Sequence, residues 1–122
     1  VGSEMCKETG DKLKTARRLF TEKIITSLPD VIITSNDLIA QGIISAAHEN
    51  GINIPNDMQI TGFDDSLSSA YFIPSVTTVS QNIDKLAKRC FSMLMDLINK
   101  KSAVSSIIEQ NIIARNSAKI NM

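Results

Sequence analysis

The stretch Pro29-Asp30-Val31-Ile32-Ile33-Thr34-Ser35-Asn36-Asp37 decides how the chain is read. Proline stops a preceding helix, because it lacks an N–H and clashes with the turn before it. The β-branched run over residues 31–34 has no polar alternation, the pattern of a short strand buried on both faces of a parallel sheet. Asn36 and Asp37 then supply side-chain oxygens able to accept the free N–H groups that open a helix. A buried strand running straight into a capped helix is the first half of a βαβ unit.

Working outward, Ile39, Ile43, Ala46 and Ala47 fall on one helical face and predict a helix over residues 37–50, ended by Gly51. After the turn Ile54-Pro55-Asn56-Asp57, residues 58–63 form a second strand. Strands joined by a helix in this way are parallel and close together in one sheet. Upstream, Leu13, Ala16, Phe20 and Ile24 predict a helix over residues 11–27, with Lys12, Lys14, Arg17, Arg18 and Lys23 mostly on its solvated side. Downstream comes a loop over residues 64–74 with a helical turn at 66–70, and then an extended segment at 76–79. A helix over residues 82–100 follows, its apolar stripe running from Ile83 through Leu86, Cys90 and Leu94 to Ile98. Cys90 reads as a small buried thiol there, and Met93 and Met95 as gap-filling core. Residues 107–113 form a last strand region, interrupted at 109–111, before a polar terminus over 115–122. The fold class is α/β: a Rossmann-like parallel sheet with flanking helices.

Composition narrows the function. The 122 residues are 43% apolar and 21% charged, which describes one small globular domain or a piece of a larger one. Thirteen basic and thirteen acidic side chains cancel, so no chain-wide field draws nucleic acid or an anionic membrane. No apolar run approaches the roughly 18 residues of a spanning helix. Cys6 and Cys90 make no disulfide framework, and Val1-Gly2-Ser3-Glu4 lacks the basic-then-apolar pattern of a signal peptide. The single His48 has no neighbouring ligand partner and reads as a surface residue near a helix C-terminus, so no metal is expected. The chain lacks both phosphate-binding glycine patterns and Gly-x-Ser-x-Gly, and Ser66, Ser68 and Ser69 have no base beside them. These features point away from an enzyme and from a cofactor.

In an open parallel sheet, ligands bind beyond the carboxyl ends of the strands. Asn36 follows the first strand and Asp64 the second, so both belong at that end, within reach of one small molecule. An amide brings donors and an acceptor, a carboxylate brings strong acceptors, and together they suit a polyhydroxylated ligand. In this reading Asp37 caps the helix while Asn36 faces ligand. Adjacent residues on extended backbone point to opposite sides. Asp64 is therefore read as inward, with Asp65 left to the loop or to helix capping, and the two are not expected to share a proton or a metal.

Three blocks of the sequence resemble the lactose/galactose-repressor family. Residues 29–37 with Ala40 and Gly42 match its PD-strand-x-x-ND-x-x-A-x-G segment. Residues 54–57 with Ile60-Thr61-Gly62-Phe63-Asp64-Asp65 match V-P-x-D-x-x-V-x-G-F-D-D. Pro74 with Thr77-Thr78-Val79-Ser80-Gln81 matches P-x-x-T-T-V-x-Q. The blocks keep the family's order and spacing over residues 28–115. The resemblance implies a periplasmic-binding-protein-like domain whose two halves close on a small effector, often a sugar, after an N-terminal helix-turn-helix DNA reader. Residues 1–122 would be the C-terminal part of that domain, mainly its second half, with DNA reached only through the reader that this chain lacks. It implies effector contacts at Asn36 and Asp64, and a homodimer surface including Gln41 and Phe72, where Gln41 replaces a commonly apolar residue. Residues 77–81 would cross between the halves, and the helix from Asn82 would pack in the half whose sheet is elsewhere, so the isolated chain is expected to self-associate. The implied protein is a cytoplasmic regulator with no membrane contact. The rival reading is an extracytoplasmic sugar-binding protein of a transport or chemotaxis system. Asp64-Asp65, the 77–81 run and Arg115-Asn116-Ser117 favour the repressor. A third reading, an enzyme holding a divalent metal at Asp64 and Asp65, needs both carboxylates on one side.

Overall fold

The computed structural model describes residues 11–119. Asp11 opens helix α1 (Lys12–Leu19), its carboxylate accepting the N–H groups of Leu13 and Lys14 at 3.1 and 3.3 Å. The rod continues into a π-helical segment, Phe20–Ile24, where the Ile25 N–H reaches back to the Phe20 carbonyl at 2.9 Å. Next come β1 (Val31–Ile33), α2 (Asp37–Glu49) and β2 (Gln59–Thr61). The two strands are parallel, with Val31 opposite Gln59, Ile32 opposite Ile60 and Ile33 opposite Thr61, as the βαβ reading requires. Then follow α3 (Leu67–Tyr71), β3 (Thr78–Ser80), α4 (Ile83–Ile98) and β4 (Asn111–Ile113). β3 and β4 pair antiparallel, and a parallel bridge between Thr61 and Thr77 joins the approach to β3 onto the edge of β2.

The core lies under α2, whose Ile39, Ala40, Ile43, Ala46 and Ala47 meet Phe20, Met58, Ile60 and Val76. α1 and α2 approach closely at Gly42, where a Cβ would lie 2.8 Å from the Leu13 carbonyl oxygen and 3.0 Å from Ala16 Cβ. Arg17 fastens the same pair by donating to both Glu49 carboxylate oxygens at 2.7 Å and to the Ser45 hydroxyl. Asn50 ends α2, and Gly51 takes the left-handed φ of 75° that the exit requires.

Four expectations change. β1 is not buried on both faces: Val31 is exposed and Ile33 is 83% exposed, because no described element covers that side of the sheet. α4 has the predicted stripe but buries none of it, so Cys90 and Met95 are exposed rather than core. The last strand is confined to Asn111–Ile113, and residues 101–110 form no regular element. The polar terminus is in part interior. Ser117 is fully buried, accepting the Ile60 and Thr77 N–H groups through its carbonyl and hydroxyl (2.9 and 2.8 Å) and donating to the Ile60 carbonyl at 2.6 Å.

Candidate functional site

The ladder of the first sheet continues past the strand ends. The Thr34 N–H donates to the Thr61 carbonyl at 3.0 Å and the Asp37 N–H to the Phe63 carbonyl at 2.9 Å. Asn36 and Asp64 each adjoin a residue of that last bond. They therefore stand at neighbouring strand tips, at the end of the sheet where the sequence placed them.

Their detailed roles differ from expectation. Asn36 is the helix cap: its backbone is extended and its Oδ1 accepts the Ile39 N–H at 2.9 Å. Asp37 does not cap. It is 1% exposed, and its carboxylate accepts the Thr78 hydroxyl on Oδ1 at 2.6 Å and the Ser66 N–H on Oδ2 at 2.7 Å. The exchange follows from backbone: extended Asn36 holds the conformation of a cap, whereas Asp37 is already helical and sits in the first turn. Asn36 remains half-exposed, with its Nδ2 bonded to no described residue, so capping engages only its oxygen.

Asp64 and Asp65 take φ values of 103° and 53°, a conformation that non-glycine residues seldom adopt. Asp64 is exposed, and its Oδ1 accepts from Gln81 Nε2 at 2.6 Å. Asp65 neither caps α3 nor hangs free in a loop; it pairs with Arg115 Nη2 at 2.6 Å, and Arg115 Nη1 donates to the Val76 carbonyl at 2.9 Å. The two acids thus turn to different partners, and among the described residues no group of three or more His, Cys, Asp or Glu could hold a metal. Gln81, Arg115 and the buried role of Asp37 were not singled out by sequence reasoning. Their only signal was membership of the three blocks and of the Arg115-Asn116-Ser117 ending.

On the outer side, Gln41 is 5% exposed and donates to Ser68 and Ser69 hydroxyls at 2.8 and 3.1 Å, which ties α2 to α3. Phe72 lies half-buried against the core. Leu38, Leu67, Tyr71 and Ile73, close to these two residues in the chain, are exposed. A cavity of about 420 Å³ between Ile44, His48, Ile54 and Pro74 lies at the other end of α2 from Asn36.

Residues 3–118 match the model of the periplasmic binding protein-like domain. The chain belongs to that family. The transcriptional repressor PurR of Pasteurella multocida is 35% identical over 95 residues, covering 76% of this chain and 28% of that protein. The crystal structure of a periplasmic binding ribose operon repressor protein from Lactobacillus acidophilus superposes with a TM-score of 0.81 at 29% identity, covering 93% of this chain and 42% of its own. A LacI-type transcription regulator from Bifidobacterium animalis gives 0.75 at 26% identity, covering 89% and 39%. Within the family the chain falls with the lactose/galactose-repressor type of effector-binding domain, and it spans about a quarter of the length of the curated relatives it matches. No described helix is long and apolar enough to cross a membrane.

Proposed function

We propose that this chain is the ligand-sensing and dimerising part of a LacI-type transcriptional regulator, acting in the cytoplasm. In this reading it is the C-terminal part of an effector domain whose other half, and whose DNA reader, lie outside residues 1–122. The observation that supports the reading is the Asp37–Phe63 backbone bond, which joins the neighbours in sequence of Asn36 and Asp64 at the strand tips, with the Asp64 N–H bonded to the Val79 carbonyl of β3. A donor-bearing amide and an exposed carboxylate match a hydroxyl-rich effector, and a sugar is the expected class. The effector would act by differential affinity for two arrangements of the halves, a change that the homodimer passes to DNA. Leu38, Leu67, Tyr71 and Ile73 supply the apolar surface of the dimer, with Gln41 and Phe72 seated beneath and beside it.

The test is calorimetric titration of the full-length protein with D-ribose, D-galactose, D-glucose and adenine, beside a gel-shift assay on its own promoter DNA. Binding of a sugar that alters the DNA complex supports the proposal. Sugar binding without any DNA complex favours the transport or chemotaxis protein. Binding of adenine alone keeps the regulator and overturns the sugar.

A further inference from the structure

Asp37 lies one residue beyond the proposed effector contact Asn36, yet it is buried and bonds to the loop that carries Asp64. Successive amides of that loop are held by β3 and by Asp37. The Asp64 N–H donates to the Val79 carbonyl at 3.0 Å, and the Ser66 N–H donates to Asp37 Oδ2 at 2.7 Å. Between them the Asp65 N–H donates to Thr78 Oγ1 at 3.3 Å, and that hydroxyl donates onward to Asp37 Oδ1 at 2.6 Å. Gly62 makes room for the carboxylate: a Cβ there would lie 2.1 Å from Asp37 Oδ1. Left-handed backbone at non-glycine residues costs on the order of 1–3 kcal/mol each and persists only where surroundings over-determine it. The Asp37–Thr78 pair belongs to those surroundings and bonds to two backbone amides of the loop, while Arg115 and Gln81 hold the side chains of Asp65 and Asp64.

We propose that Asp37 and Thr78 are positioning residues for the effector site: together they fix the backbone of residues 64–66 and thereby aim the Asp64 carboxylate, coupling it to β3. This rests on the reading of Asp64 as an effector contact, but the positioning itself is measurable without any ligand. A buried acid that accepts from both a loop amide and a crossover hydroxyl moves with the crossover, so a shift in β3 is transmitted to residues 64–66.

The experiment is hydrogen exchange by mass spectrometry on the full-length protein, comparing peptides over residues 63–68 with peptides over 31–35 and 57–61. Thr78→Val keeps shape and removes the hydroxyl; Thr78→Ser restores it. Gly62→Ala crowds Asp37 without removing a polar group. The expected result is exchange faster by about tenfold or more in 63–68 for Thr78→Val and Gly62→Ala, no change in the other peptides, and rescue in Thr78→Ser. Unchanged exchange in 63–68, or acceleration spread equally over all three regions, overturns the positioning role. D-Ribose, D-galactose and D-glucose titrations of the same variants separate the two claims. If none of these sugars binds the parent, the sugar proposal fails while the exchange result still decides this one. If one binds and Thr78→Val leaves its affinity unchanged, the coupling to Asp64 is overturned.

Discussion

Asp37 donates its backbone N–H to the carbonyl of Phe63 at 2.9 Å, and Asn36 and Asp64 flank that bond at the same end of the sheet. One main-chain contact thus sets the spacing of two side chains 28 positions apart in sequence, and each can be varied without touching it.

Asp64 combines an exposed carboxylate with a φ of 103°. Removing the acid as Asp64→Ala should weaken effector binding by on the order of 2 kcal/mol, about 30-fold, through loss of a charged acceptor. It does not relieve the backbone, since alanine tolerates that φ no better than aspartate does. Asp64→Gly removes the acid and the conformational penalty together. A gain of about 1 kcal/mol should remain after glycine's own entropic disadvantage. Calorimetry and thermal melts on the same variants read both effects. An Asp64→Gly protein less stable than Asp64→Ala would show that φ at 64 is unstrained.

Asn36 performs two separable tasks, capping with Oδ1 and, in the proposed function, donating to ligand with Nδ2. Asn36→Asp keeps a capping oxygen and loses the donor, so stability should stay within about 0.5 kcal/mol while effector affinity falls. Asn36→Ala loses both and should cost about 1 kcal/mol of stability as well. Equal affinities for the wild type and Asn36→Asp would remove Asn36 from the ligand site.

Much of the fold was legible because its signals are local. The β-branched run at residues 31–34, the pair of capping residue types at 36 and 37 and the glycine at 51 are each read within a few residues, and the parallel pairing of β1 with β2 follows from their connection. The end of the sheet where Asn36 and Asp64 meet follows in the same way. Which of Asn36 and Asp37 caps was not legible, because both types cap well and the outcome depends on the Ser66 amide and Thr78 hydroxyl, 29 and 41 positions away. The salt bridge of Asp65 with Arg115 spans 50 positions and had no local trace. Cys90 misled for the opposite reason: an amphipathic stripe tells which side wants covering, and on α4 no described element covers it.

The Asp65–Arg115 pair is the most shielded ion pair described, with side chains 26% and 17% exposed. Exposed pairs contribute about 0–1 kcal/mol. Here Arg115→Met also strips the Val76 carbonyl of its donor, and the expected loss is about 2 kcal/mol in urea melts. A double-mutant cycle with Asp65→Asn should return a coupling near 1 kcal/mol. Additivity of the two substitutions would mean that Arg115 matters only through Val76.

α4 presents Ile83, Phe91, Leu94, Leu97 and Ile98 to solvent along one side, and none of its residues is buried. Contiguous apolar surface beyond a few hundred Å² marks an interface. In the proposed function this face packs against the part of the effector domain that lies outside residues 1–122. Expressed alone, the 122-residue chain should therefore associate through it, and sedimentation velocity should show mass rising with concentration. Leu94→Lys with Leu97→Lys places charge in the stripe at little cost to the folded chain, since surface substitutions stay within about 0.5 kcal/mol. The double variant should sediment as a smaller species with an unchanged far-ultraviolet dichroism spectrum. A wild-type chain that stays monomeric at every concentration would show that α4 needs no partner, and association that survives the two lysines would move the contact to Leu67, Tyr71 and Ile73.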